Sequence, residues 1–309
     1  MSRFASLMMV LPILITPSLV TPILRGQSQL STQITQASAR VEQLDLLGAA
    51  ALDKARAWRR LAAVQQDAAV YRESAASFAQ AIELFENAPG ANSELAEAID
   101  GRGVLELETN KFAAAEDSLE QARSMRIALK DTLGIARSDV HLANLYLGEH
   151  DYEQAHTLAT QALASFNHDP HADTLDKSAA MIAVSLALCK QNRSGEALPV
   201  LDDLVALARR SYPGDSIPVG FASYLLGYAE QKNHDLPLAA ADMKRGIQSM
   251  EKSMGWGHPI FMEALSQYAT LLRETGHPVE AQQIETRVAQ LKSSGHQGAS
   301  TNIDLASLP

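Results

Sequence analysis

The stretch from Leu142 to Leu163, LANLYLGEHDYEQAHTLATQAL, has helical apolar spacing in each half but not across its middle. LGEHD interrupts the spacing and DYEQA restarts it in a new phase, so the pattern predicts two short helices joined by a tight turn. The second helix presents Ala155, Ala159 and Ala162 where large core residues would be expected.

The same pattern recurs along the chain. Aligning each second helix on a small residue near its start gives Ser74, Ala115, Ala155, Ala197, Ala239 and Ala281, separated by 41, 40, 42, 42 and 42 positions. Seven residues later stand Ala81, Ala122, Ala162, Leu204, Gly246 and Val288. Three residues before the anchors stand Tyr71, Phe112, Tyr152, Ser194, Leu236 and Pro278. The first helices repeat as well, through Leu61-Ala62, Arg102-Gly103, Leu142-Ala143, Val184-Ser185, Leu226-Gly227 and Tyr268-Ala269. A period of this length marks stacked supersecondary units, each unable to bury its apolar face alone. Small residues at the points where two helices cross let their axes approach closely. The predicted pairs cover 51–67 and 71–86, 93–109 and 112–130, 132–149 and 152–166, 174–191 and 194–210, 217–232 and 236–252, and 259–275 and 278–292. A lead helix near 31–47, started by Ser31 or Thr32, precedes them. NAPGANS, NHDPHAD, SYPGDSIP and GWGHP punctuate the units.

At Trp58-x2-Leu61, followed by Tyr71-x2-Ser74-x3-Phe78-x2-Ala81, the chain resembles the tetratricopeptide-repeat (TPR) family. Ser74 replaces that family's alanine and stays small. The longer period, Gly257-His258-Pro259 and the run 268–288 resemble the kinesin-light-chain subtype. The resemblance implies an all-α, right-handed α-solenoid of about six helix-turn-helix repeats over 51–293. It follows a lead helix in 29–50 and precedes a disordered tail in 294–309. Ser194, Pro278 and Glu285 depart from the family pattern, and the departures in the last unit suit a terminal cap.

Composition agrees with a helical protein rich in Ala, Leu, Glu, Gln and Arg. Of 309 residues, 46% are hydrophobic and only 5% aromatic. A net charge of −10 argues against a general nucleic-acid-binding role, which needs a basic footprint. Residues 4–24 carry no charge and follow Arg3, so 1–28 reads as a signal peptide or N-terminal anchor. The expected setting is therefore periplasmic, secreted or tethered to the outer side of the inner membrane.

The lone Cys189 excludes a disulfide framework within the chain and reads as a small packing residue. No phosphate loop, nucleophile elbow or HExxH motif occurs. His168 and His171, with Asp169 or Asp173, read as a solvated turn rather than a metal pair. No catalytic set, metal or cofactor is expected.

What remains is a surface. In the family resembled, the first helix of each unit lines a concave groove that receives peptides. Carried over by alignment, the candidates are Arg59, Val140, Asn144, Ile182, Leu186, Tyr224, Tyr228, Gln231 and Arg273. Tyr224 and Tyr228 share one helix face and suit either a ligand contact or packing against the next repeat. The implied function is a non-enzymatic scaffold binding a protein or peptide. The alternative is a regulatory or assembly module of an envelope complex containing a kinase, protease or secretion machine.

Overall fold

The structure, a computed structural model, describes residues 27–254 and 259–293. Within them the chain forms thirteen helices and no strand. A lead helix α1 (Gln27–Leu46) is followed by α2 (Ala51–Asp67), α3 (Tyr71–Glu86), α4 (Asn92–Glu108), α5 (Phe112–Leu129), α6 (Thr132–Gly148) and α7 (Tyr152–His168). Then come α8 (Thr174–Lys190), α9 (Ser194–Ser211), α10 (Ile217–Lys232), α11 (Leu236–Met254), α12 (Pro259–Glu274) and α13 (Pro278–Ser293). The six predicted pairs are present with ends within two residues of those expected, the usual scatter of helix termini. The lead helix starts earlier than Ser31 or Thr32. Ser31 lies inside it, its carbonyl accepting from the Thr35 hydroxyl one turn on. The uncharged segment 4–24, Gly257-His258 and the tail 294–309 lie outside the described residues.

Each helix packs on its chain neighbours, and α2, α4, α6, α8 and α10 also touch in succession along one face. These are the first helices of the units, so they form the inner layer, and the second helices the outer. Both crossing points within a unit use the residues that the repeat singled out. Ala62, Ala143 and Ala269 are fully buried, as are their partners Ala155 and Ala281. In the first unit the Ser74 hydroxyl donates to the Ala62 carbonyl at 2.8 Å, so the family's alanine is replaced by a residue that bonds across the crossing. In the fifth unit Gly220 and Gly246 bring two backbones into contact.

Local chemistry fixes the ends. Asp131, Asp151 and Asp173 cap α6, α7 and α8, each accepting from a backbone N–H three residues on. All six turns within units close the same way. Ala69, Asn110, His150, Asn192, His234 and Gly276 take left-handed conformations, with φ between 57° and 84° across the set. In each, the next N–H returns to a carbonyl of the first helix's last turn, as from Val70 to Gln65 at 2.8 Å and from His277 to Leu272 at 2.7 Å. A residue bearing a Cβ is disfavoured there. Ala69 gains nothing from its methyl in this position, so Ala69→Gly should raise unfolding free energy by about 0.5–1 kcal/mol. Urea unfolding of the two proteins checks this; an unchanged or lower midpoint contradicts it.

Candidate functional site

The inner layer is held across units by polar ties between equivalent helices. Arg59 on α2 pairs with Glu97 on α4. Arg56 Nη2 lies 2.7 Å from Glu94 Oε1, a bond that holds the Glu94 carboxyl below its usual range. Gln66 donates to Glu108 at 3.1 Å, Arg137 to Asp176 at 2.8 Å and Gln231 to Glu274 at 2.7 Å. Much of the inner-face charge therefore serves the packing of the units.

A buried ionic cluster joins the second unit to the third. Asp100 on α4 lies 2.9 Å from Arg126 Nη1 on α5, and His141 Nδ1 on α6 lies 2.9 Å from its other oxygen. The same Arg126 nitrogen donates to the Ser138 hydroxyl at 2.6 Å and to the Gly134 carbonyl at 3.1 Å. Burial alone would push Asp100 up, but the charges of His141 and Arg126 outweigh it and hold the carboxyl down at about 2. Beside it, Arg123 reaches Asp139 at 2.6 Å.

The structure divides the groove candidates into two groups. Val140, Asn144, Ile182, Tyr224 and Gln231 are buried, Tyr224 only 2% exposed. Tyr224 lies against the backbone of Gly246 and tilts over Phe221, with ring centroids 6.2 Å apart. Arg59, Leu186 and Tyr228 are half-buried, while Arg273 is exposed. Arg273 binds Glu285 on α13 at 2.6 Å, which gives the glutamate at the family's aromatic position a structural role.

Leu186 and Tyr228 meet a chemistry that the sequence reading missed. Tyr152, Tyr146 and Leu186 pack together on one small apolar cluster. Lys232, the last residue of α10, places its ammonium 5.6 Å from the centre of the Tyr228 ring. Lys190, the last residue of α8, is half-buried, and burial together with the charge of Lys232 pulls its ammonium below the usual lysine range. Among the described residues neither lysine has a carboxylate ion-pair partner. Burial pushes the Tyr228 hydroxyl up to about 12 and the Cys189 thiol up to about 11, so neither is an activated nucleophile at neutral pH. Lys190 and Lys232 occupy the same register, seven positions before Ala197 and Ala239. That shared register is the signal that locates them.

One carboxyl elsewhere is set apart. Glu230 is buried, and burial with Asp242, Asp235 and Asp202 nearby pushes it up to about 7. Among the described residues no three His, Cys, Asp or Glu side chains are placed to hold a metal ion. At the HDPH turn, Asp169 accepts from the His171 N–H at 2.8 Å and Asp173 caps α8. No described helix is long and apolar enough to cross a membrane.

Residues 53–128 match the family model described as tetratricopeptide repeat. No curated protein matches the chain. Among solved structures, a Podosopora anserina kinesin light chain with nearly identical TPR-like repeats is 17% identical, the match covering 67% of this chain and 99% of that one with a TM-score of 0.53. Aspartyl phosphate phosphatase F from Bacillus subtilis is 15% identical over 93% of this chain and 73% of its own, with a TM-score of 0.69. A Rap protein complexed with Competence and Sporulation Factor is 13% identical over 87% and 78%, with a TM-score of 0.64. Identities this low speak for the fold. The matched tetratricopeptide repeats at 53–128, the six stacked helix pairs and the period of about 42 residues together give this chain a solenoid fold of TPR-like repeats, similar to that of the solved kinesin light chain repeats.

Proposed function

We propose that this solenoid acts by binding rather than by turnover, holding a peptide or protein segment along its inner face with Leu186, Tyr228, Lys190 and Lys232 at the centre. The observation that carries the reading is the pair of lysines, unmatched by carboxylates among the described residues, beside partly exposed tyrosine and leucine side chains. Such a patch suits a segment with an apolar or aromatic side chain next to an acidic one. The Rap protein of similar fold was solved with another factor bound, which supports a binding role for the architecture.

The test places a photo-crosslinking amino acid at Leu186 in the full chain. A discrete partner should be captured, and Tyr228→Ala with Lys190→Gln and Lys232→Gln should lower the yield roughly tenfold, a loss of the size expected for a central contact. Capture that is unchanged in the triple variant rules the patch out. A second reading, a regulatory module acting on a separately encoded enzyme, draws on the likeness to aspartyl phosphate phosphatase F. Stoichiometric co-purification with an enzyme would favour it; recovery of the solenoid with a non-enzymatic partner alone would count against it.

A further inference from the structure

The lead helix builds a second recess, away from the lysine patch. An apolar seam of Val41, Leu44, Ala57 and Leu61 joins α1 to α2. Along the seam lies a cleft of about 910 Å³ lined by residues of both helices. Ala37, Ala57 and Ala63 are among its lining residues, and their short side chains leave room between the helices. Gln36 and Arg40 reach it from α1, and Arg56 and Arg60 from α2. Each set is spaced three or four residues apart, so each shares one helix face.

The guanidiniums differ in what they already hold. Arg56 is committed to Glu94 at 2.7 Å and lies 3.8 Å from Asp53. Arg40 donates to the neutral amide of Gln43 at 2.8 Å. Arg60 is exposed and has no carboxylate partner among the described residues. The acids of the lining, Asp53 and Asp67, stand fourteen residues apart at the two ends of α2, about 21 Å at the helical rise. The middle of the cleft is therefore locally positive on a chain whose net charge is −10. Guanidinium groups bind carboxylates through paired, charge-assisted hydrogen bonds. A cleft of this volume, open along one side, has room for a short peptide segment.

We propose that the cleft between α1 and α2 binds an acidic peptide segment, two of whose carboxylates pair with Arg40 and Arg60. The site is independent of the lysine patch and stands or falls without it. Overall charge repels an acidic peptide, so binding of one reports these local cations.

Fluorescence anisotropy on the full chain tests the idea with a labelled peptide, Gly-Glu-Ala-Glu-Gly-Glu-Ala-Glu, and its glutamine counterpart. The glutamate peptide should bind and lose affinity with added salt, and the glutamine peptide should bind at least about tenfold more weakly. Arg40→Gln with Arg60→Gln should weaken the glutamate peptide by at least about tenfold. The melting temperature should not change, because both side chains leave the seam untouched. Lys190→Gln with Lys232→Gln should leave this binding in place. Equal binding of the two peptides, unchanged affinity in the arginine variant, or no binding of the glutamate peptide would each overturn the proposal. So would loss of binding in the lysine variant instead, or equal affinity for single-stranded DNA.

Discussion

Gly246→Val should destabilise the protein by more than about 3 kcal/mol and prevent α10 and α11 from docking. A Cβ at Gly246 would stand 2.5 Å from the Gly220 carbonyl oxygen and 2.6 Å from the Tyr224 nitrogen. Both obstacles are backbone atoms of the facing helix, so no rotamer change relieves them. Replacing a glycine by valine in a helix interior ordinarily gains roughly 0.3–0.5 kcal/mol in propensity. Here the collision dominates, and the sign reverses. The fifth unit has small residues on both sides of this crossing, whereas the fourth carries Leu204 and the sixth Val288 at the same register. The control is Gly195→Ala at the start of α9, where the nearest atom to a new Cβ is the mobile Asn233 amide oxygen at 3.3 Å. Guanidinium unfolding should separate the two, with a large drop for Gly246→Val and little change for Gly195→Ala. A Gly246→Val protein that melts like the parent would show that α10 and α11 do not meet backbone to backbone.

Arg126→Met should cost about 3–5 kcal/mol, because it strands the Asp100 carboxylate in a site from which water is excluded. Ser138 and His141 remain beside that carboxylate, but the guanidinium serving Asp100, Ser138 and Gly134 together is gone. A double-mutant cycle with Asp100→Leu should recover part of the loss, since an apolar pair leaves no orphaned charge. The sign of the pH dependence follows from the depressed carboxyl. Asp100 titrates at about 2 in the folded protein, against its ordinary value of 3.8. Its contribution to stability is therefore complete above the ordinary value and disappears as pH falls through about 2. Without Arg126 the carboxyl takes up its proton at higher pH, so the variant's deficit should shrink as the medium is acidified toward pH 4. A deficit that is constant between pH 7 and pH 4 would mean that Asp100 does not depend on Arg126.

The repeat was legible because its signal is local and recurrent. Ser74, Ala115 and the later anchors mark a crossing within a single unit, and a crossing needs a small residue whatever surrounds it. The inner face was harder to read. A first helix is covered by its own second helix, by the second helix of the preceding unit and by the first helices on either side. Little of its circumference stays open, so Asn144 is inside although its register matches Leu186 and Tyr228, and Val140, Ile182 and Tyr224, one turn earlier in their units, are inside as well. The Arg126 cluster draws on three helices from two units, and no spacing along the chain announces such a meeting. Arg273 and Glu285 illustrate the intermediate case. The glutamate stands out as a departure from an aromatic position, but its partner appears only when the two helices are folded together.

A solenoid whose elements touch chiefly their immediate neighbours carries tension in series. A pull on its two ends loads each interface in turn with the same force, and the weakest yields while the others hold. Among the described helices the contact between α1 and α2 stands at one end of the series, whereas the junction bound by the buried side chains of Asp100, Arg126 and His141 lies between units. The molecule is thus a set of interfaces in series with an ionic clasp part-way along its length, where the second unit joins the third.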